Sequence, residues 1–347
     1  MTDLSRASAY DYDLPPDRIA QRPVESRDRS RLLVVARDGS PLRHLAFRDI
    51  VGLIPPGDAL VLNETRVLPA RIRGRKPTGA PAEVLLLRPV SADDSEWEAL
   101  VRPGGKLKPG RVIEVAEEFR IHVVDSIPGG GRRVRLDSDV PPREAIERWG
   151  EMPLPPYIER AADAADRERY QTVYARETGS VAAPTAGLHF TPAVLDALWH
   201  KGVALERLIL HVGLGTFRPV DADQLDRHEM HAEWYHVPAR TAAALNEVRR
   251  RGGAVWAVGT TVARTLESVA TAGGEIRPGS GWTDLFVRPP YRFRAIDRLV
   301  TNFHLPRSTL IMLVAAFAGY ERTMEAYRVA VGEGYRFYSY GDAMVIV

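Results

Sequence analysis

The sequence predicts an α/β main domain with mostly parallel strands and an inserted small antiparallel β-barrel domain. Apolar runs of strand length alternate with helix-period stretches in residues 31–70 and again from Pro192 onward, the grammar of a strand–helix–strand fold. Between Arg71 and Asp139 the chain changes to short alternating runs separated by Gly and Pro, with no helix of useful length. The length of 347 residues exceeds one ordinary core and fits two domains. The expected division is a discontinuous main domain of 1–70 and 141–347 around an insert of 71–140.

Each element has a local reason. Leu32 to Ala36 and Ala59 to Leu62 read as strands, with a short amphipathic helix around Phe47 to Leu53 between them. In the insert, Glu83 to Leu87, Trp97 to Val101, Arg111 to Val115, Arg120 to Val124 and Arg132 to Leu136 read as strands of a small barrel, with Gly129 to Gly131 as a tight turn. Ala161 to Arg169 is an exposed connection or a short helix. Helices are expected at 193–200, 240–251 and 261–270, and strands at 204–211, 254–258, near 284–287 and at 298–303. Two more helices and a last strand, Met344 to Val347, close the chain. Strands separated by helices favour parallel pairing through right-handed crossovers.

Composition narrows the chemistry. Apolar residues make up 45% and charged residues 27%, a well-folded globular balance, and the net charge of +2 announces no nucleic-acid binder. The chain has no cysteine, so disulfides, thiolate nucleophiles, Cys-ligated zinc and iron–sulfur clusters are excluded together. Asp3, Arg6 and Asp11 interrupt the N-terminus and leave no apolar h-region, which leads us to expect a cytoplasmic protein. The longest apolar run, Leu310 to Gly319, is half of what a bilayer requires.

Several polar constellations stand on turns beside regular elements. VTNFHLPRSTLIMLVAAFAG, Val300 to Gly319, takes a strand into a turn bearing His304, and then into a helix with Ser308 and Thr309 as N-cap residues. That places His304 at the carboxyl end of a strand, where open α/β sheets bind ligands. AVGTTVARTLES, Ala257 to Ser268, opens a helix with Thr260 and Thr261, a position suited to an anion; Arg264 and Glu267 one turn on can pair or point to a ligand. HVGLGTF, His211 to Phe217, turns at Gly213 and Gly215 without the lysine of a phosphate loop. APTAGLHF carries His189. HEMHAEWYH gathers His228, His231, Glu233 and His236 on a polar loop. It matches no zinc motif, and its histidines fit hydrogen bonding or proton transfer better than a metal.

Taken together, DYDLPPDRIAQRP, LNETRVLPARI, APTAGLHF, HVGLGTF, HEMHAE, VGTTVARTLES, VTNFHLPRSTLIMLVAAFAG and YRFYSYGDAMVI span almost the whole chain. The chain resembles the S-adenosylmethionine:tRNA ribosyltransferase-isomerases of queuosine biosynthesis. Lys76 to Ala80 departs from the family pattern by lacking a fuller glycine turn. The resemblance implies an α/β domain with an inserted barrel. It also implies transfer and isomerisation of the ribosyl group of S-adenosylmethionine onto the aminomethyl group of a 7-deazaguanine base in the anticodon region of tRNA, giving epoxyqueuosine-tRNA, adenine and methionine. S-adenosylmethionine would be a consumed substrate, with no cofactor or metal, and a monomer is expected. His228, His231 and His304 are the candidates for proton transfer, with Glu233 or Asp342 orienting an imidazole or holding a ribose hydroxyl. His189, His211, Thr260, Thr261, Arg264 and Glu267 are candidates for substrate binding. Arg66, Arg71, Arg73, Arg75 and Lys76 form an acid-free run expected to meet RNA phosphates, with Lys106, Lys108 and Arg111 as a second group.

Overall fold

A computed structural model describes residues 2–213 and 223–347. The first apolar run forms β1 (Arg31–Val35), which turns back through β2 (Arg43–Ala46). A 3-10 turn leads into α1 (Ile50–Leu53), followed by β3 (Ala59–Asn63) and β4 (Thr65–Val67). The insert supplies β5 (Arg71–Arg75), β6 (Pro81–Pro89), β7 (Glu96–Arg102), β8 (Val112–Ala116), β9 (Phe119–Ser126) and β10 (Arg132–Ser138). Next come α2 (Pro142–Trp149), β11 (Gly150–Glu151), α3 (Asp166–Arg169), β12 (Glu177–Ser180), α4 (Pro192–His200) and β13 (Ala204–Leu210). The last part holds β14 (Glu233–Val237), α5 (Ala239–Arg250), β15 (Val255–Val258), α6 (Thr260–Val269), β16 (Gly279–Thr283), β17 (Arg298–Asn302), α7 (Thr309–Ala318), α8 (Tyr320–Gly332) and β18 (Ala343–Ile346).

The main sheet has the order β16-β14-β13-β3-β15-β17-β18-β1-β2. Its centre, β13-β3-β15-β17, is parallel, as is β18 with β1. The β17–β18 pair and the strands toward both edges are antiparallel. The central strands are continuous apolar runs because both faces are covered. Leu33, Val35, Val61 and Ala257 face a core shared with α5, α6, α7 and α8, whereas Leu32, Val34, Leu60, Leu62 and Trp256 face a second core shared with α1 and α4. The result is a three-layer sandwich in which strand alternation assigns successive side chains to opposite cores. Helix α7 begins as expected, with Ser308 Oγ accepting from the Ile311 N–H at 3.3 Å, and ends at Gly319 with φ of +92°.

The insert closes into a six-stranded antiparallel barrel when β5, already paired with β6, meets β8 through Arg75 and Glu114. Gly74 makes that closure geometrically feasible, since a Cβ there would lie 2.5 Å from the Glu114 carbonyl oxygen. Ile72, Val84, Trp97, Ile113, Ile121 and Val134 fill the barrel, and Ala145 and Ile146 of α2 extend its core.

Two expectations need correction. The strand expected near 284–287 is formed instead by Gly279–Thr283, against β14. Arg264 donates to the Thr283 and Leu285 carbonyls, and Thr283 Oγ1 accepts from the Leu285 N–H, so side chains satisfy backbone groups that a strand would have paired. The expected polar histidine loop also ends sooner: Glu233–Val237 is a strand between β13 and β16.

Candidate functional site

The parallel strands end on one edge, and the polar segments gather there. A small pocket of about 30 Å³ is lined by Ala183 to Ala186, Val212, Gly259 to Thr261, Thr301, Asn302 and His304. No side chain caps the start of α6, whose N-cap is Gly259 at φ of +90°. The Oγ1 of Thr261 and the Oδ1 of Asn302 are buried without a hydrogen-bond partner on the walls of this pocket. Unpaired buried polar atoms are costly, and they mark a place where a ligand or water completes the site. Asn302 lies inside the VTNFH motif, yet its residue type alone gave no reason to single it out; only the fold shows that its amide nitrogen is spent on the Tyr338 carbonyl, 3.1 Å away.

His304 is buried in this pocket, its Nε2 2.7 Å from Thr301 Oγ1. Its backbone is clamped on both sides: Tyr327 Oη accepts from its N–H at 3.0 Å, and Tyr12 Oη donates to its carbonyl. Burial alone pulls the imidazole pKa down to about 3, so the ring is neutral near pH 7.

Val212 also lines a second, larger cavity of about 740 Å³ between the main sheet and the barrel. From the main sheet and its adjoining turns this cleft receives His211, His231, Glu233, Trp234 and Trp282, from the β12–β4 pair Thr178, and from the barrel side Arg88, Trp97 and Arg143. His211 Nδ1 lies 2.8 Å from Thr65 Oγ1, and its ring stacks on Trp234 with centroids 5.1 Å apart. Burial, reinforced by the charge of Arg143, lowers its pKa to about 4. Gly179 permits this placement, because a Cβ there would sit 2.6 Å from His211 Nε2. A still larger groove of about 1190 Å³ lies on the barrel beside Arg73, Arg75, Arg102 and Arg120, and it contains none of the candidate histidines.

The other candidates divide clearly. Glu233 is buried and holds Arg264 in an ion pair while accepting from the Gly213 N–H at 2.9 Å. Arg264 therefore does not pair with Glu267, as its helical spacing had allowed. Glu267 instead accepts from the N–H groups of Arg294 and Ala295 and from Tyr291 Oη, pinning that loop. Asp342 accepts from the Arg31 and Arg336 N–H groups, both at 2.8 Å, and lines neither the cleft nor the small pocket. His189 stacks on Phe47, and its two ring nitrogens face the carbonyls of Ala186 and Gly341. His228 packs edge-on against Phe286, whereas His231 is exposed in the cleft. Among the described residues no three His, Asp or Glu side chains converge as metal ligands. The Leu214 to Phe217 half of HVGLGTF lies outside the described residues.

The basic run is not acid-free in three dimensions. Arg71 and Arg73 alternate on one face of β5, where Glu83 and Glu151 stand within 3.5–3.8 Å of them. Arg75 donates to the Gly79 carbonyl, Arg66 is exposed on β4, and Lys106, Lys108 and Arg111 are exposed on the barrel. None of the described helices is long and apolar enough to cross a membrane.

A sheet whose parallel strands deliver histidine, threonine and asparagine to one edge, facing an inserted barrel across a cleft, defines a class of two-part enzyme. The sequence profile of the family described as "Queuosine biosynthesis protein" matches residues 7–346, and the chain belongs to that family. It is 57% identical to the S-adenosylmethionine:tRNA ribosyltransferase-isomerase of Moorella thermoacetica, over 99% of this chain and 100% of that protein. It is 55% identical to the protein of the same name from Pelotomaculum thermopropionicum, over 98% and 99% of the two chains. The crystal structure of the S-adenosylmethionine tRNA ribosyltransferase from Thermotoga maritima is similar at a TM-score of 0.57 and 40% identity, covering 98% of this chain and 100% of that one.

Proposed function

We propose that this protein transfers and isomerises the ribosyl group of S-adenosylmethionine onto the aminomethyl group of 7-aminomethyl-7-deazaguanine in tRNA, releasing adenine and methionine and leaving epoxyqueuosine-tRNA. The observation that carries this reading is the meeting of APTAG, HVG, HAE, VGTT and TNFH, segments far apart in sequence, along one sheet edge. Full-length identity to the named relatives supports it.

The substrate brings its own activation. A sulfonium acidifies the adjacent ribose C–H and makes methionine a good leaving group, so the reading calls for no metal or further cofactor. Three proton movements remain: loss from that carbon, loss from the attacking amine, and delivery to departing adenine. General acid–base groups work best with a pKa near the operating pH. His304 and His211 lie far below it and suit neutral hydrogen bonding to sugar or base. His231, exposed in the cleft, and His228, packed on Phe286, are assigned the proton transfers. Thr260, Thr261 and Asn302 receive the amino-acid end of S-adenosylmethionine. The open α6 N-terminus faces its carboxylate, and the unpaired Asn302 oxygen accepts from its ammonium. Arg264 takes no direct part, because Glu233 holds it. Arg66 and the exposed barrel lysines face RNA phosphates.

The test is release of adenine and methionine from S-adenosylmethionine in metal-free buffer, with and without tRNA carrying the aminomethyl base. Release of both that depends on the modified tRNA is expected. No release from folded protein and verified tRNA would overturn the reading.

A further inference from the structure

We propose that Trp282 and Trp234 form a stacking platform for an unstacked nucleobase of the RNA loop, distinct from the groups that handle the ribosyl donor; this rests on the tRNA reading above. The two residues are direct cross-strand partners in the β14–β16 ladder, so their side chains share one face. The adjacent Glu233, at the inner end of the cleft, is buried against Arg264 and so is engaged elsewhere. Trp282 is 57% exposed on an edge strand, whereas indole rings are ordinarily well covered. Trp234 is already stacked on the His211 ring at an interplanar angle of 21°. The His211–Trp234 stack, extended by His236 on Trp234, and the exposed Trp282 therefore present aromatic groups along one face of the strand pair.

The electrostatics select the occupant. Arg88 lies 5.8 Å over the Trp282 ring but is held by Glu98 through bonds of 2.6 and 2.7 Å. Arg143 is held by Asp94 at 2.5 Å. The cations at this end of the cleft are thus already ion-paired and are poor phosphate ligands. An exposed aromatic face with paired arginines at its edge fits the neutral faces of bases, which unpaired RNA loops present and duplexes do not. The cleft volume of about 740 Å³ accommodates such a base beside the reacting one.

Trp199, 62% exposed on α4 and absent from the cleft, is the matched control. Steady-state kinetics and tRNA binding at several salt concentrations are measured for the parent, Trp282→Ala, Trp282→Tyr and Trp199→Ala. Trp282→Ala is expected to weaken tRNA binding by about 5- to 150-fold, the range for one lost base–aromatic stack, with KM for S-adenosylmethionine unchanged. The salt slope is expected to stay the same, because an indole carries no charge. Trp282→Tyr should recover most of the loss, and Trp199→Ala should match the parent. A parent that reacts normally while Trp282→Ala binds tRNA within twofold of it overturns the platform alone. A parent without tRNA-dependent turnover overturns the functional reading and the platform with it.

Discussion

Glu233→Gln separates a structural from a catalytic role for the most buried carboxylate at the site. Glu233 and Arg264 side chains are 5% and 4% exposed, and the carboxylate accepts from two donors at once, the Arg264 guanidinium and the Gly213 N–H. An amide offers one accepting end, so in either orientation its NH₂ confronts a donor. Breaking a buried ion pair by removing one partner costs about 3–5 kcal/mol, a large fraction of the ~5–15 kcal/mol that holds a domain folded. The Arg264 contacts to the carbonyls of Leu285 and Thr283 remain and place the expected loss near the lower figure. Urea unfolding measures it as a shift in midpoint at constant slope. The double variant Glu233→Met with Arg264→Met should recover much of the loss, since replacing a whole buried pair by apolar groups is often nearly neutral. A Glu233→Gln protein within ~0.5 kcal/mol of the parent, well inside the range of ordinary surface substitutions, would refute this reasoning, as would strictly additive single losses.

Other substitutions probe the rest of the edge. Thr261→Val removes an unpaired buried hydroxyl, so stability should hold or rise while KM for S-adenosylmethionine increases by about 2- to 10-fold; unchanged KM would argue against a ligand there. Gly179→Ala drives a methyl into the His211 ring and should lower kcat/KM by at least about tenfold with a fall in stability of ~1–3 kcal/mol, measured by kinetics and urea midpoint. Asp342→Asn trades one accepting end for a donor facing a backbone N–H; it should cost ~1–3 kcal/mol in unfolding free energy, and kcat for the folded fraction should stay within twofold of the parent. For His304 the folded pKa of about 3 lies below the ordinary 6.5, so the unfolded chain binds the extra proton first. Stability from this group is complete above pH 6.5 and falls as pH drops toward 3. His304→Gln should therefore lose about 2 kcal/mol less than the parent between pH 7 and pH 5, and equal losses would contradict the burial argument.

The sandwich was legible because its strands are covered on both faces and read as unbroken apolar runs, as in β1, β3 and β15. Barrel strands were legible through alternation. Strand β14 was hidden because Trp234, Tyr235 and His236 are only half-buried, which makes an interior strand of the sheet look like a polar loop. β16 was hidden by its glycines. His304 and the threonines of α6 were visible as polar residues at strand ends. Their partners were not, because pairing across the sheet is non-local: the spacing of Arg264 and Glu267 pointed within one helix, whereas Arg264 reaches Glu233, 31 positions away. The acid-free arginine run showed the same limit, since Glu83 and Glu151 arrive from neighbouring strands.

The most direct test of the central claim uses S-adenosylmethionine labelled with carbon-13 in the ribose and tRNA carrying the aminomethyl-deazaguanine base, followed by mass spectrometry of the digested nucleosides. The labelled sugar carbons are expected on the deazaguanine nucleoside in step with adenine release. Label that stays in small molecules, or that reaches RNA by methyl transfer alone, would contradict it.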